Sequence, residues 1–419
     1  MNRRGLSLIL LLLVAAAAPG WGKILVPMDL TQANHLKAYG VAYHALQRGQ
    51  DVEWLLNYRG GSFLMDDDPA TTRDCSLSGV SFEERSGSEV VSILDEIEGS
   101  NMEVVLLEKA PVVAVYYPQE IDPWDDAVVL ALDYAEIPYE KLWDEEVVAG
   151  QLSKYDWLHL HHEDFTGQYG KFYASYRSAP WYLEQVRVNE EAAKKLGFAK
   201  VWQLKQSVAV RIKEYVARGG FVFSMCSATD SFDISLAAQG IDIADAVYDG
   251  DPPETGAQLK LDFSRALAFT DFRLEMNPLV YEYSDIDMTQ EASLRGQEND
   301  YFQLFDFSAK EDPVPSMLTQ CHVNVLRGFM GQTTSFRKSL LKKSTIVLAE
   351  VPGAGDVRYC HGNFGKGTFT YYGGHDPEDY QHQVGDPPTQ LELHPSSAGY
   401  RLILNNVLFP AAKKQERKT

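Results

Sequence analysis

The sequence has little cysteine. Its 419 residues include four, Cys75, Cys226, Cys321 and Cys360, with no C-x-x-C pair, which excludes a disulfide-dense scaffold and a zinc site of the finger or ribbon kind. Positive charge is also short: 38 Lys and Arg against 59 Asp and Glu leave a formal net charge of −21. Such a field repels phosphate backbones and anionic lipid surfaces, so nucleic acid is excluded as a partner. Beyond the N-terminal segment no apolar run reaches the length of a membrane span, and no internal repeat stands out.

The opening segment, "MNRRGLSLILLLLVAAAAPGWG", sets Arg3 and Arg4 before an apolar run from Leu6 to Ala18 and closes on Pro19 and Gly20. This is the order of a secretory signal peptide, so residues 1–22 are expected to be a leader and the mature chain to begin near Lys23. The expectation is an exported bacterial protein, periplasmic or secreted, with no membrane insertion after cleavage. One disulfide could form in such a compartment, between partners that spacing leaves open.

From Lys23 the pattern is strand "KILVPM", amphipathic helix "HLKAYGVAYHALQRG" and strand "DVEWLLN", a β-α-β unit that implies a parallel sheet. An acidic stretch, "MDDDPATTRDC", reads as loop and precedes a helix near Val90–Glu98 and strand "EVVLL". A second α/β rhythm starts near Lys109: strand 112–117, helix from Asp125, strands at Tyr139 and "DWLHLHH", helices over 183–218, strand "GGFVFSM" and a helix from Ser231. Residues 241–343 break that rhythm and read as an insertion or cap. Strands "TIVLAEV", "VRYCHG" and "GTFTYYGG" and a helix over 398–408 restore it, before a basic tail at 410–419. The fold class is α/β, with an N-terminal α/β domain at 23–108 and a larger one at 109–409.

In a doubly wound sheet, ligands sit beyond the C-terminal ends of the strands, and Cys226 falls at such an end. A nucleophile on a strand-to-helix elbow needs small neighbours; Ser224 and Ala228 supply them, and the Ser227 N–H could join an oxyanion hole. His375 follows two glycines after another strand, with Asp376, Glu378 and Asp379 behind it. Cys226, His375 and Glu378 therefore form a coherent thiol triad on paper.

Residues 112–409 resemble the class I glutamine amidotransferase-like fold, a flavodoxin-like doubly wound domain with an elbow cysteine and a late His-x-Glu. The resemblance implies Cys226 as nucleophile, His375 as base and Glu378 as acid. S-M-C-S-A stands where that family has G-x-C-x-G, and the acid follows its histidine by three residues instead of two. "GGHD" also resembles trehalose-utilisation-type relatives of the fold, which lack the cysteine. Over nearly its whole mature length the chain is similar to exported bacterial proteins that carry the label asparagine synthetase B, through "NHLKAYGVAYHAL", "WLLNYRGGSF", "YDWLHLHHEDFTGQYG" and "GGHDPEDYQH". The synthetase chemistry itself finds no match: residue 2 is Asn where an N-terminal cysteine is needed, and "SATDS" is one residue short of an S-G-G-x-D-S loop.

A second constellation is "HLHHEDFTGQYG". His159, His161, His162, Glu163 and Asp164 offer imidazole and carboxylate ligands at the end of a strand and could bind zinc, but alternation puts His159 and His161 on one packed sheet face, where a hydrogen-bonded core role is the first expectation. Glu163 and Gly167 are expected to line a pocket beside Cys226, with Ser227 and Asp376. Three weaker features read blandly: "NYRGGSF" at Arg59 as a turn, His35 as a cap or core contact, and "MDDDP" as a solvated acidic turn. The first functional reading is a thiol hydrolase acting on an amide or related carbonyl, without cofactor. The alternatives are a non-catalytic protein that binds a carbohydrate, peptide or other small molecule, and a metal-assisted hydrolase using the 159–164 cluster with zinc.

Overall fold

The computed structural model describes residues 22–118 and 125–412. The leader at 1–22 falls almost wholly outside the described residues, as does the basic tail from residue 413. No helix of the described residues is long and apolar enough to cross a membrane.

Residues 23–107 make a five-stranded sheet from β1 (Lys23–Val26), β2 (Val52–Leu56), β3 (Ser62–Asp66), β4 (Glu83–Arg85) and β5 (Glu103–Leu107), in the order β4-β1-β3-β2-β5. Every pairing is antiparallel, which corrects the parallel sheet expected from the β-α-β pattern. The crossover helix His35–Gln47 does return β2 in the direction of β1, but β3 inserts between them, so the two never pair. The supposed loop "MDDDPATTRDC" contains a helix, Pro69–Ser78, whose first turn is capped by the Asp68 carboxylate on the Ala70 N–H.

The second sheet is built on five parallel strands: β6 (Val113–Tyr116), β7 (Tyr139–Leu142), β8 (Trp157–Leu160), β9 (Phe221–Met225) and, late in the chain, β15 (Gly367–Tyr372), in the order β7-β6-β8-β9-β15. Antiparallel strands β14 (Asp356–Phe364), β13 (Ile346–Val351), β10 (Tyr301–Leu304) and β11 (Val325–Arg327) extend it beyond β15, and β12 (Phe336–Arg337) pairs with β14. The span 241–343 is thus more than a cap, since β10, β11 and β12 belong to the sheet. The molecule is a mixed α/β protein.

Period-two alternation sorts the parallel strands onto two cores. Trp157, Phe221, Phe223 and Met225 join one core with helices Ala127–Tyr134 and Ala398–Leu408. Leu158, Leu160 and Val222 join the other with helix Val201–Arg218 and much of the 241–343 span. The first core continues into the N-terminal sheet through helix His35–Gln47. That helix runs so close to the turn at Ala135 that a Cβ on Gly40 would lie 2.0 Å from the Ala135 carbonyl oxygen. Fully buried Arg401 ties the two sheets together by donating to the Tyr39 hydroxyl and to the carbonyls of Met28 and Gly60.

Candidate functional site

His159 and His161 point from β8 and its end into the first core, beside Asp126. The Asp126 carboxylate caps helix Ala127–Tyr134 by accepting from the N–H groups of Val128 and Val129. It also accepts from His159 Nε2 at 3.1 Å and lies 2.9 Å from His161 Nδ1. One residue thus starts a helix and holds two imidazoles.

His375 reaches the same place from β15. Gly374, with φ +97°, turns the chain out of the strand in a conformation few side chains tolerate, and a Cβ there would lie 2.5 Å from the Phe329 ring. The turn lets the His375 N–H bond the Met330 carbonyl at 2.9 Å. His375 Nδ1 then sits 3.1 Å from His161 Nε2, and its Nε2 is buried without a hydrogen-bond partner. His161, His162 and His375 each present a ring nitrogen within 4.8 Å of the others. Burial holds His161 down to about 4 and His375 well below the usual imidazole range, so both rings are neutral near pH 7.

Two further groups complete the cluster. His382 stacks on His375 with ring centroids 4.7 Å apart, donates through Nδ1 to Asp379 at 2.9 Å and lies 2.8 Å from Asp125 through Nε2. The Asp125 carboxylate, ahead of Asp379, raises the His382 pKa to about 9. Beside His162, Glu163 and Gly167 line a pocket of ≈ 30 Å³ with Trp143, Asn189 and Lys205. Glu163 accepts the His161 N–H at 2.8 Å, and burial pushes its carboxyl up to about 7. Asp164 instead closes a turn through Thr166, accepting from its N–H at 2.6 Å.

Cys226 stands on an elbow: its φ is +50° between β9 and the short turn Cys226–Ala228, a left-handed conformation unusual for a residue with a side chain. The thiol triad, however, is not assembled. Sγ accepts from the Gln332 N–H at 3.3 Å, a partner from the 241–343 insertion side, whereas the His375 ring meets His161, His162 and His382. No hydrogen bond joins Cys226 to His375. Glu378 is engaged elsewhere, 3.0 Å from His394 Nδ1, and Asp376 accepts the Glu378 N–H at 2.8 Å. Ser227 is fully buried with its hydroxyl unpartnered, and neither it nor Cys226 lines the pocket of Glu163 and Gly167. Burial pushes the Cys226 thiol up to about 11 against the pull of the Gln332 N–H. The folded protein is therefore expected to resist iodoacetamide at Cys226 at pH 8 and to label there only on unfolding, read by mass spectrometry; rapid labelling in the native state would show an activated thiol. All four cysteines are free thiols.

Three residues of the cluster, Asp125, Asp126 and His382, were not singled out in the sequence. Two neighbouring aspartates before an apolar run read as a helix start, which Asp126 also is. The weaker features resolve as turns and contacts: Arg59 pairs with Asp29 and Glu83, and His35 stacks on His322 with centroids 4.1 Å apart.

No family model and no curated protein matches the chain. Among solved structures it is similar to the cytoplasmic protein STM3548 from Salmonella typhimurium, at 11% identity and a TM-score of 0.34, over 73% of this chain and 100% of that one. It is also similar to the cytoplasmic protein STM1381 from Salmonella typhimurium LT2, at 12% identity and a TM-score of 0.35, over 74% and 91%. A third likeness, to the GH42 β-galactosidase Gan42B, has 13% identity and a TM-score of 0.27, over 64% of this chain and 28% of the galactosidase. None of these likenesses assigns an activity.

Proposed function

We propose that the protein is a metal-assisted hydrolase acting on an amide or related carbonyl, with its reacting centre at the histidine crevice rather than at Cys226. The observation that carries this reading is the convergence of three imidazoles, His161, His162 and His375, from the ends of two parallel strands. Ligands held about 2.0–2.1 Å from a tetrahedral zinc ion lie about 3.3 Å from one another, close to the 3.1 Å between His161 and His375. Neutral imidazoles suit zinc, and the Asp126 carboxylate beside the far nitrogen of His161 is the support that ligating histidines usually have.

The strand order β7-β6-β8-β9-β15 supports a flavodoxin-like, amidotransferase-like scaffold, because it follows the 2-1-3-4-5 pattern of sheets that bind ligands beyond their strand ends. The resemblance of residues 112–409 to the amidotransferase-like fold is the support for an amide substrate, and the apolar leader supports export. A bound zinc ion would supply Lewis acidity and an acidified water. Glu163, beside His162 in the pocket, is the carboxylate placed to take a proton from the attacking water and pass it to the leaving nitrogen.

The test is zinc content and release of ammonia or amine from a panel of amides by the purified full-length chain. The expected result is activity that a chelator removes, zinc restores and Cys226→Ala leaves in place. Chelator-insensitive activity abolished by Cys226→Ala would overturn the reading in favour of a thiol enzyme, for which the left-handed elbow is the favouring observation. Binding of an amide, peptide or sugar with no turnover would favour a non-catalytic role.

A further inference from the structure

We propose that the crevice holds a second cation, bound by Asp125, His375 and His382 and adjoining the first site through the shared ring of His375. The proposal rests on the metal reading above and extends it to residues with no part in the first site. The three residues each bring a ligand atom within 4.8 Å of the others.

A buried ion pair and an orphaned ring nitrogen converge at the site. The Asp125 side chain is 9% exposed, and neither of its buried oxygens accepts a hydrogen bond. In the metal-free protein the cation that meets this desolvated carboxylate is the His382 imidazolium, 2.8 Å away. A divalent ion there would take over that role, releasing the His382 Nε2 proton to solvent and leaving the nitrogen as a ligand beside the Asp125 carboxylate. The orphan is His375 Nε2, on the ring edge away from the Nδ1 that faces His161. The Asp125 and His382 atoms, 2.8 Å apart, have the spacing of neighbours on one cation whose ligand bonds are about 2.0–2.2 Å.

The surroundings fit as well. His382 donates its other ring nitrogen to Asp379 at 2.9 Å, which fixes the ring and leaves Nε2 as the atom turned toward Asp125, as a ligating histidine requires. One carboxylate and two imidazoles form a donor set for zinc or a similar divalent ion, and neither residue contributed by the second site alone belongs to the first. His375 would serve both ions as an imidazolate: the neutral ring has a single lone pair, so binding the second ion releases its remaining N–H proton to solvent.

The experiment is metal stoichiometry on the full-length chain, stripped with chelator, reloaded with zinc and dialysed, with wild type compared with Asp125→Asn, His382→Gln and His162→Ala. The expected result is two zinc ions per chain in wild type and one in each variant, with Asp125→Asn and His162→Ala combined binding none. One ion in wild type, unchanged by Asp125→Asn and His382→Gln but lost in His162→Ala, overturns the second site and leaves the first standing. No ion in any protein overturns both. Calorimetric titration of stripped wild type with zinc reads one or two binding events without any variant, so misfolding of a variant does not decide the matter.

Discussion

Replacing His375 by alanine is expected to empty the whole crevice of metal. Its Nδ1 faces His161 and its Nε2 is the orphan beside His382 and Asp125, so one substitution removes a ligand from both positions. Supporting residues around a metal typically cost about 10–100-fold in affinity or activity when changed, and Asp126→Asn should fall in that range through its contacts with His159 and His161. Loss of a shared ligand should exceed it: zinc in His375→Ala is expected below one-tenth of an ion per chain after dialysis, with amide hydrolysis lost in parallel. Metal analysis on the refolding-competent, purified variant checks this. Retention of one or two ions would show that His375 is a packed neighbour of the cluster and not its centre.

The parts of this site that were legible in the sequence are those set by local pattern. "HLHH" after an apolar strand and "GGH" after another put His161, His162 and His375 at one edge of a sheet, because parallel strands in such folds end together. The same reasoning put Cys226 at that edge, and its left-handed φ agrees with an elbow. What local pattern could not supply is the face. Phe223 and Met225 turn into one core and Val222 into the other, so two residues at neighbouring strand ends can be close in backbone and still present their side chains to different partners. Cys226 N–H bonds the Gly374 carbonyl at 3.2 Å while its sulfur meets Gln332, more than a hundred residues away.

Long-range order hid the rest. β1 and β2 flank a helix and read as a parallel pair, but β3, next in sequence, enters between them, and nothing in the pattern of 23–56 announces that choice. Asp125 and Asp126 read as a helix start because the capping signal and the ligand signal use the same residue types. His382 sits in a turn with no periodicity at all, and only the stacking on His375 reveals it.

Replacing Arg358 by alanine is expected to cause the largest loss of stability away from the metal-binding cluster. Arg358 on β14 is fully buried, 2.5 Å from the Asp300 carboxylate and 3.8 Å from Asp356, while Arg295 reaches both acids from the other side. The guanidinium also donates to the carbonyls of Phe329 at 2.8 Å and Thr334 at 3.2 Å. Alanine leaves two buried carboxylates with a single partly exposed arginine and strands two carbonyls, and breaking a buried pair from one side costs about 3–5 kcal/mol. The damage should not stop at stability. The loop that Arg358 holds is the one whose Met330 carbonyl accepts the His375 N–H, and the Thr333 carbonyl accepts that of Gly374. Denaturant unfolding should therefore show the loss in midpoint, and zinc affinity should weaken in the folded fraction. Pairing Arg358→Met with Asp300→Asn should recover part of the stability, because the uncompensated charge is then removed with its partner. A loss below about 1 kcal/mol for Arg358→Ala, with zinc binding unchanged, would mean that the network is relaxed by water and that the loop carrying His375 is held by its backbone bonds alone.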